Sequence, residues 1–327
     1  MLNRIAGTVR RWAAATNPWS NVYGFGRTLL ALGSLSTLLF THTDSLFPPT
    51  LGIKQPPLCF GATKLSLYCM VDPGYLEVGR WIAIGILALV ASGWRPRITG
   101  VLHWWVAFSF TATAVVTDGG DAVANVMTLL LIPLTLTDGR KWHWQAADPA
   151  PSVGGTELRR IVALSTLFML RLQVMGIYFH AAVGKFKVEE WADGTAVYYW
   201  FTDPVHGMTG RMADLFMPVL TNPYGVVALT WGAILLELAL FMGIMADKKH
   251  RRKLLVLGLL FHGGIAFVHG LISFSLAMWG ALVIYLRPVE EEFAFLPQWA
   301  AAGQRVAARV RRIAPAPLRG PEPVAGD

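Results

Sequence analysis

The stretch QVMGIYFHAAVGKFKVEEW, residues 173–191, ends an apolar run with an amide, an imidazole and an amine: Gln173, His180 and Lys185. An imidazole can pass a proton, and an amine becomes a base once its proton has gone elsewhere. Lipid does not tolerate such groups cheaply. An ionisable side chain near the centre of a membrane helix costs about 2.5–3.5 kcal/mol on insertion scales, so each one calls for a partner or a task. Helical spacing sorts them into faces. Arg171, Tyr178 and Lys185 follow one another at intervals of seven and share a face, while Gln173 and His180, also seven apart, point nearly the opposite way. A helix polar on two faces is surrounded by protein or lines a cavity. Glu237 in LLELALF and the pair His262 and His269, again seven apart on one stripe, are the other polar groups inside apolar runs.

Each has a plain structural explanation beside the chemical one. Arg171 and Glu237 can form a buried ion pair that orients two helices, and Gln173 an interhelical hydrogen bond. His180 and His269 fall near an interface where a wet histidine is unremarkable. Lys185, at a helix end, can extend its amine to the headgroups. His262 lies mid-span and is the hardest to dismiss.

The elements that carry these residues read as membrane helices. Of 327 residues 54% are hydrophobic and 15% charged, far fewer charges than the quarter usual in a soluble domain. Apolar blocks run roughly over 24–41, 79–94, 100–117, 122–137, 158–184, 226–245, 254–269 and 271–286. With their flanks they approach the ~20 residues that cross a bilayer. The last two form one run broken at His269-Gly270, which predicts a tight helical hairpin, since one helix of that length would overshoot the membrane.

The basic residues orient the spans. With the N-terminus inside, the inner segments hold Arg4, Arg10 and Arg11, Arg95 and Arg97, Arg140, Lys141, Arg159 and Arg160, the run from Lys248 to Lys253, Arg287 and the tail arginines. The outside receives only Lys54, Lys64, Arg80, Lys185, Lys187 and Arg211, while Arg27 and Arg171 fall within spans. The expectation is an all-α polytopic integral membrane protein of about eight spans with both termini cytoplasmic. The net charge of +8 then reflects topology, and no nucleic-acid partner is needed to explain it. The first span lacks a convincing small-residue cleavage site and is expected to stay as an anchor.

Cys59 and Cys69, the only cysteines, fall in the same outer loop, CFGATKLSLYC, and are expected to form a disulfide. The linker QAADPAPSVGG divides the spans four and four, and the outer loop 186–225 has the apolar content to cover a cavity mouth. Residues 296–313 interleave Trp299, Val306, Val310 and Ile313 with arginines, as a helix on an anionic inner leaflet would. The Pro-rich end reads as disordered. Nucleotide-binding glycine loops, H-E-x-x-H and a nucleophile elbow are absent from the sequence. The histidines lack tight ligand spacing, so no metal is expected, and Asp118 and Asp121 sit in an outer loop rather than as a paired intramembrane dyad.

Four segments carry a family resemblance. YFHAAVGKF…EEWADGTAVYY resembles the tyrosine–phenylalanine, small-residue, lysine, tryptophan, glycine pattern of the HTTM membrane domain, which includes the vitamin K-dependent γ-carboxylase. LLFHGGIAFVHGLISFSLAM is similar to that family's late-span histidine segment, and LLELALF to the glutamate of its preceding span. NPWSNVYGFGRTLLALGSLSTLLF resembles the narrower SdpB-like branch, found beside secreted antimicrobial peptides. The likeness covers about residues 17–288.

The resemblance implies Lys185 and His262 as catalytic residues, with Glu237 and Trp191 on matching positions; together with the spacing of the other polar residues, Arg171, Gln173, Tyr178, His180, Trp191, Glu237 and His269 are expected to line or support a pocket. In the carboxylase a lysine acts as base on a reduced quinone, which with O2 yields a strong base, and CO2 adds to a peptide glutamate. A vitamin K-type quinol is therefore a candidate cofactor here. The SdpB-like branch implies an exported, SdpC-like peptide precursor and a small SdpA-like partner protein, with action at the outer face of the plasma membrane. The chain departs from the carboxylase in lacking a large region after the spans, so any peptide-holding part falls to loop 186–225 or to a partner. The expected organisation is a cytoplasmic segment 1–23, an HTTM-like membrane domain 24–287 and a cytoplasmic tail 288–327. Three rival readings stand beside peptide maturation. They are a quinol-dependent carboxylase acting alone, a non-catalytic export or immunity scaffold, and a transporter, the last weakened by the lack of paired broken helices.

Overall fold

The computed structural model describes residues 7, 11, 13–49, 57–145 and 155–294. Met1–Glu292 form one compact body. The basic helix expected at 296–313, the Pro-rich end and most of the 145–155 linker lie outside the described residues.

Among the described residues eight helices of at least fifteen residues form. They are α1 (Asn21–Phe40), α2 (Leu76–Ser92), α3 (Pro96–Thr113), α4 (Gly119–Thr137), α5 (Gly155–Lys185), α6 (Pro223–Met242), α7 (Lys248–His269) and α8 (Ile272–Leu286). No strand forms among the described residues; Trp94 and Trp142 make an isolated bridge. Every apolar block of the sequence has become a helix. Six are long and apolar enough to cross a membrane, on α1, α2, α4, α5, α6 and α7, while α8 is apolar but shorter.

Helix ends follow local chemistry. Pro96 and Pro223 occupy first-turn positions, where the missing N–H costs nothing, so α3 and α6 begin several residues before the apolar blocks at 100 and 226. Asp118 Oδ1 accepts from the Gly120 and Asp121 N–H groups, and Asp121 returns the bond to the Asp118 N–H, a capping box that starts α4. Gly270, at φ +70°, ends α7 in the left-handed conformation and turns the chain directly into α8. This is the hairpin expected at His269-Gly270.

The centre of the body is α8, buried along nearly its whole length, packed on α1. Such close contact needs glycine: a Cβ on Gly280 would lie 2.6 Å from the Gly26 carbonyl oxygen, and one on Gly26 would lie 2.5 Å from Ile284. Small residues bring helix backbones together in lipid, where no hydrophobic force drives association. By contrast, α7 buries little of its surface. The connection between α5 and α6 contributes the helices Ala196–Thr202 and Gly210–Leu220, which pack through Val197, Phe201, Met208, Phe216 and Leu220.

Cys59 and Cys69 are bonded, with Cα atoms 5.7 Å apart. Closing a loop of ten residues removes about 3 kcal/mol of chain entropy from the open state. Replacing both cysteines by serine is expected to loosen only this loop, seen as faster amide exchange at 57–70 with global melting lowered by a few degrees at most.

Candidate functional site

Lys185, the last residue of α5, defines the site. Its Nζ donates to both carboxylate oxygens of Glu237, at 2.7 and 2.8 Å, and lies 5.0 Å from the centre of the Trp191 ring. A cation over an indole face is attracted by the ring quadrupole, so the Glu237 carboxylate and the Trp191 ring together hold the ammonium in place. Glu237 sits in the C-terminal half of α6 and is almost wholly buried.

The pair forms part of the wall of a cavity of about 450 Å³. Phe261, His262, Ile265 and His269 come from α7, and Leu271 and Phe274 from the α7–α8 turn and α8. Ala233 comes from α6 beside Glu237, and Asp118 and Gly119 from the start of α4. The connection between α5 and α6 closes the remaining side with Trp191, Val197, Trp200 and Phe201. The wall is thus mainly apolar and aromatic with a few converging polar groups, as ligand sites usually are.

The seven-residue stripes meet here. Tyr178, one stripe position below Lys185 and about 10 Å along the helix at 1.5 Å per residue, reaches His262 Nε2 with its hydroxyl at 2.9 Å. His262 is 3% exposed; its backbone carbonyl accepts from Ser275, and Phe261 and Phe274 flank its ring. One stripe position above, His269 Nδ1 bonds the His206 carbonyl at 2.9 Å and packs against Trp200 and Phe201, fastening the α5–α6 connection over the cavity.

Three expected members are elsewhere. Arg171 is fourteen residues from Lys185, about 21 Å along α5. Its guanidinium donates to the Arg287 carbonyl at 3.4 Å, and Glu237 pairs with Lys185 instead. The Arg171–Glu237 ion pair is thereby corrected: one α6 carboxylate cannot serve two positions about 21 Å apart on α5, and it pairs with Lys185. Gln173 is half-buried and His180 exposed, and neither lines the cavity, because the face opposite Lys185 turns away from α6 and α7. Asp118 enters the wall unannounced. The sequence puts Asp118 in a loop, and nothing local says which cavity that loop would border. Among the described residues no group of three or more His, Cys, Asp or Glu is arranged to hold a metal ion.

A second polar cluster lies between the N-terminal half of α1, the α2–α3 turn and the segment after α4. Arg27, fully buried, donates to Thr99 Oγ1 at 2.7 Å and reaches His143 Nδ1 at 3.4 Å. His143 Nε2 lies 3.3 Å from Thr28 Oγ1, which donates to the Ala91 carbonyl. Asp138 takes the Tyr23 hydroxyl and the Arg140 guanidinium. The only sequence signal for this cluster was Arg27 inside a span. Its partners are far away in the chain.

Burial, then the neighbouring Arg27 and Arg140, hold His143 well below the usual histidine range, so it is neutral in the folded protein. The unfolded chain protonates it below pH ~6.5 and then binds the extra proton, so stability falls as pH drops from ~6.5 toward the folded value. Melting at pH 7 and pH 5 is expected to show this loss in the wild type and a flatter dependence in His143→Gln. An unchanged slope would remove His143 as its source.

Comparison with known proteins finds relatives by sequence. The chain is 44% identical over 297 residues, 90% of its length and 94% of the relative's, to the uncharacterized protein YitO of Bacillus subtilis (strain 168). It is 36% identical over 293 residues, 89% of its length and 87% of the relative's, to the sporulation-delaying protein SdpB of the same organism. No family model matches the chain. No solved structure matches it either.

Proposed function

Because the chain belongs to the SdpB family, we propose that it is a membrane protein required to produce a secreted toxin peptide, acting on that peptide at the outer face of the plasma membrane. The observation that carries a chemical role is the Lys185–Glu237 pair in the wall of a cavity roofed by the outer loop. In this reading all eight long helices cross the bilayer with both termini inside, the distribution of Lys and Arg supporting that orientation. An SdpC-like precursor is the substrate and a small SdpA-like protein the partner.

Lys185 is the proposed base. An ammonium is no base, but its partner lies 2.7 Å away: passing the Nζ proton to Glu237 leaves an amine and a neutral carboxylic acid. The amine then takes a proton from the bound peptide. Trp191 and Glu237 position Lys185, and His262 stands deeper in the same wall. The aromatic walls exclude water, which strengthens every polar interaction inside.

The test is the intact mass of the secreted peptide from cells carrying precursor and partner genes, with and without this chain. Loss of the mature mass and accumulation of precursor are expected on deletion, restored by the wild-type gene. The mass difference names the chemistry: fragments mean cleavage, and added carbon dioxide means the carboxylation that the γ-carboxylase resemblance implies. Identical peptide in both strains would overturn the reading.

A further inference from the structure

The cavity wall carries more negative charge than positive. With histidines counted neutral, its charged side chains are Lys185, Glu237 and Asp118. Lys185 and Glu237 cancel each other as an ion pair at 2.7 Å. They also cancel once the Nζ proton has moved to the carboxylate, because both are then neutral. Asp118 is left over in either state. Among the described residues no Lys, Arg or His side chain forms an ion pair with it.

Asp118 has a local task, the capping of α4, and that task does not exhaust it. Oδ1 accepts from the Gly120 and Asp121 N–H groups at 2.7 and 3.0 Å, whereas Oδ2 accepts from the Ser273 hydroxyl at 3.3 Å. A carboxylate offers about four acceptor sites, so Oδ2 keeps one. The residue is half-buried, not sealed behind the wall. The positive end of the α4 dipole offsets only about half a charge. Asp121, 6% exposed beside it, adds no positive charge. A charge bordering a mainly apolar cavity is felt across it, because such surroundings screen far less than water.

The rest of the wall suits the same ligand. Trp200, Phe201, Phe261 and Phe274 line the cavity, and among the described residues no protein cation lies over their rings. Aromatic faces attract an ammonium or a guanidinium, and apolar walls pack the stem of a long basic side chain. From this charge balance we propose that the cavity binds a cationic group of the peptide, with Asp118 as the residue that selects it. A lysine side chain, an arginine side chain and a chain-terminal ammonium share this chemistry. About 450 Å³ admits one such group together with apolar neighbours. The inference names the substrate feature read by the proposed site and rests on this cavity being the working one.

The test uses the full chain in nanodiscs of zwitterionic dioleoylphosphatidylcholine. The probe is the capped tripeptide acetyl-photoleucyl-lysyl-photoleucine amide, crosslinked by light and mapped by mass spectrometry. Label is expected within 191–201 and 261–274. Unlabelled acetyl-leucyl-lysyl-leucine amide is the first competitor. Its norleucine analogue keeps the stem and loses the charge. After scaling by partition into empty nanodiscs, the lysine peptide should compete about tenfold better, the equivalent of one hydrogen bond between charged groups. Asp118→Asn keeps the cap, since asparagine serves there as well as aspartate, and removes the charge. The lysine preference should fall to near unity in that variant, a change that a purely structural role for Asp118 does not produce. An arginine analogue, and a norleucine peptide with a free N-terminus, separate the three sources of the cation.

Should Asp118→Asn fail to fold, the wild type decides alone: a glutamate analogue should compete less well than norleucine. Equal competition by the lysine and norleucine peptides overturns the proposal. So does a lysine preference that survives in folded Asp118→Asn, or absence of label from both segments. Selective binding by a chain whose deletion leaves peptide production intact would sink the maturation reading and keep this one. Loss of mature peptide on deletion, without lysine selectivity, would do the reverse.

Discussion

Lys185→Arg should stop production of the mature peptide while leaving the protein in the membrane at its normal level. Arginine keeps the positive charge and can bond both oxygens of Glu237, so the buried carboxylate stays paired. It cannot give up its proton at any accessible pH, and so cannot act as a base. A positioned general base contributes about 10²- to 10⁴-fold, and loss of that order is expected in peptide yield at matched protein levels. Lys185→Met is the poorer experiment. It strands Glu237 without a partner, and breaking a buried pair destabilises by about 3–5 kcal/mol, so lost product would then report lost folding. The arginine variant separates the two. If it makes the same peptide at the same yield, Lys185 only anchors the end of α5 and the scaffold reading replaces catalysis.

Gly280→Val should be the most damaging single change to the fold. The new Cβ would sit 2.6 Å from the Gly26 carbonyl oxygen and 3.1 Å from Leu30, against backbone that cannot swing aside. α8 is enclosed by protein on nearly every side, so it cannot back away into lipid. Overpacking in a well-filled core costs about 1–3 kcal/mol, and a β-branched side chain against main chain belongs at or above the upper end. The control is Gly264→Ala on α7, where an added methyl meets nothing within 4 Å; replacing a helical glycine there should be neutral or gain about 0.5–1 kcal/mol. Melting of the detergent-solubilised variants checks both. A Gly280→Val protein as stable as wild type would mean that the α1–α8 contact can open, and the central position of α8 would need another explanation.

The γ-carboxylase resemblance led to Lys185, Glu237 and His262, and the cavity contains all three. Helical spacing also put Arg171 on the face of the base, yet the two lie about 21 Å apart along α5 and keep different partners. Seven-residue spacing placed Arg171, Tyr178 and Lys185 on one face. The same spacing put Arg171 and Lys185 four turns apart, and that axial distance decides which partners each can meet.

What the sequence by itself determined is local. Apolar blocks of membrane length had to become helices, because backbone polar groups in lipid must be satisfied within the segment. Prolines, capping residues and Gly270 set where those helices start and stop. Two cysteines in one loop left a single pairing. Periodicity gave the stripes Tyr178–Lys185 and His262–His269. The tertiary structure alone decided how those stripes face one another. Periodicity fixes a side chain's direction around its own helix axis but says nothing of the rotation or axial offset of the next helix. That offset sets Glu237 level with Lys185 rather than Arg171, brings Tyr178 to His262, and gathers Tyr23, Arg27, Asp138 and His143 into a cluster. It is fixed by packing over contacts of fifty to more than a hundred residues in sequence, above all by the glycine contact of α1 with α8.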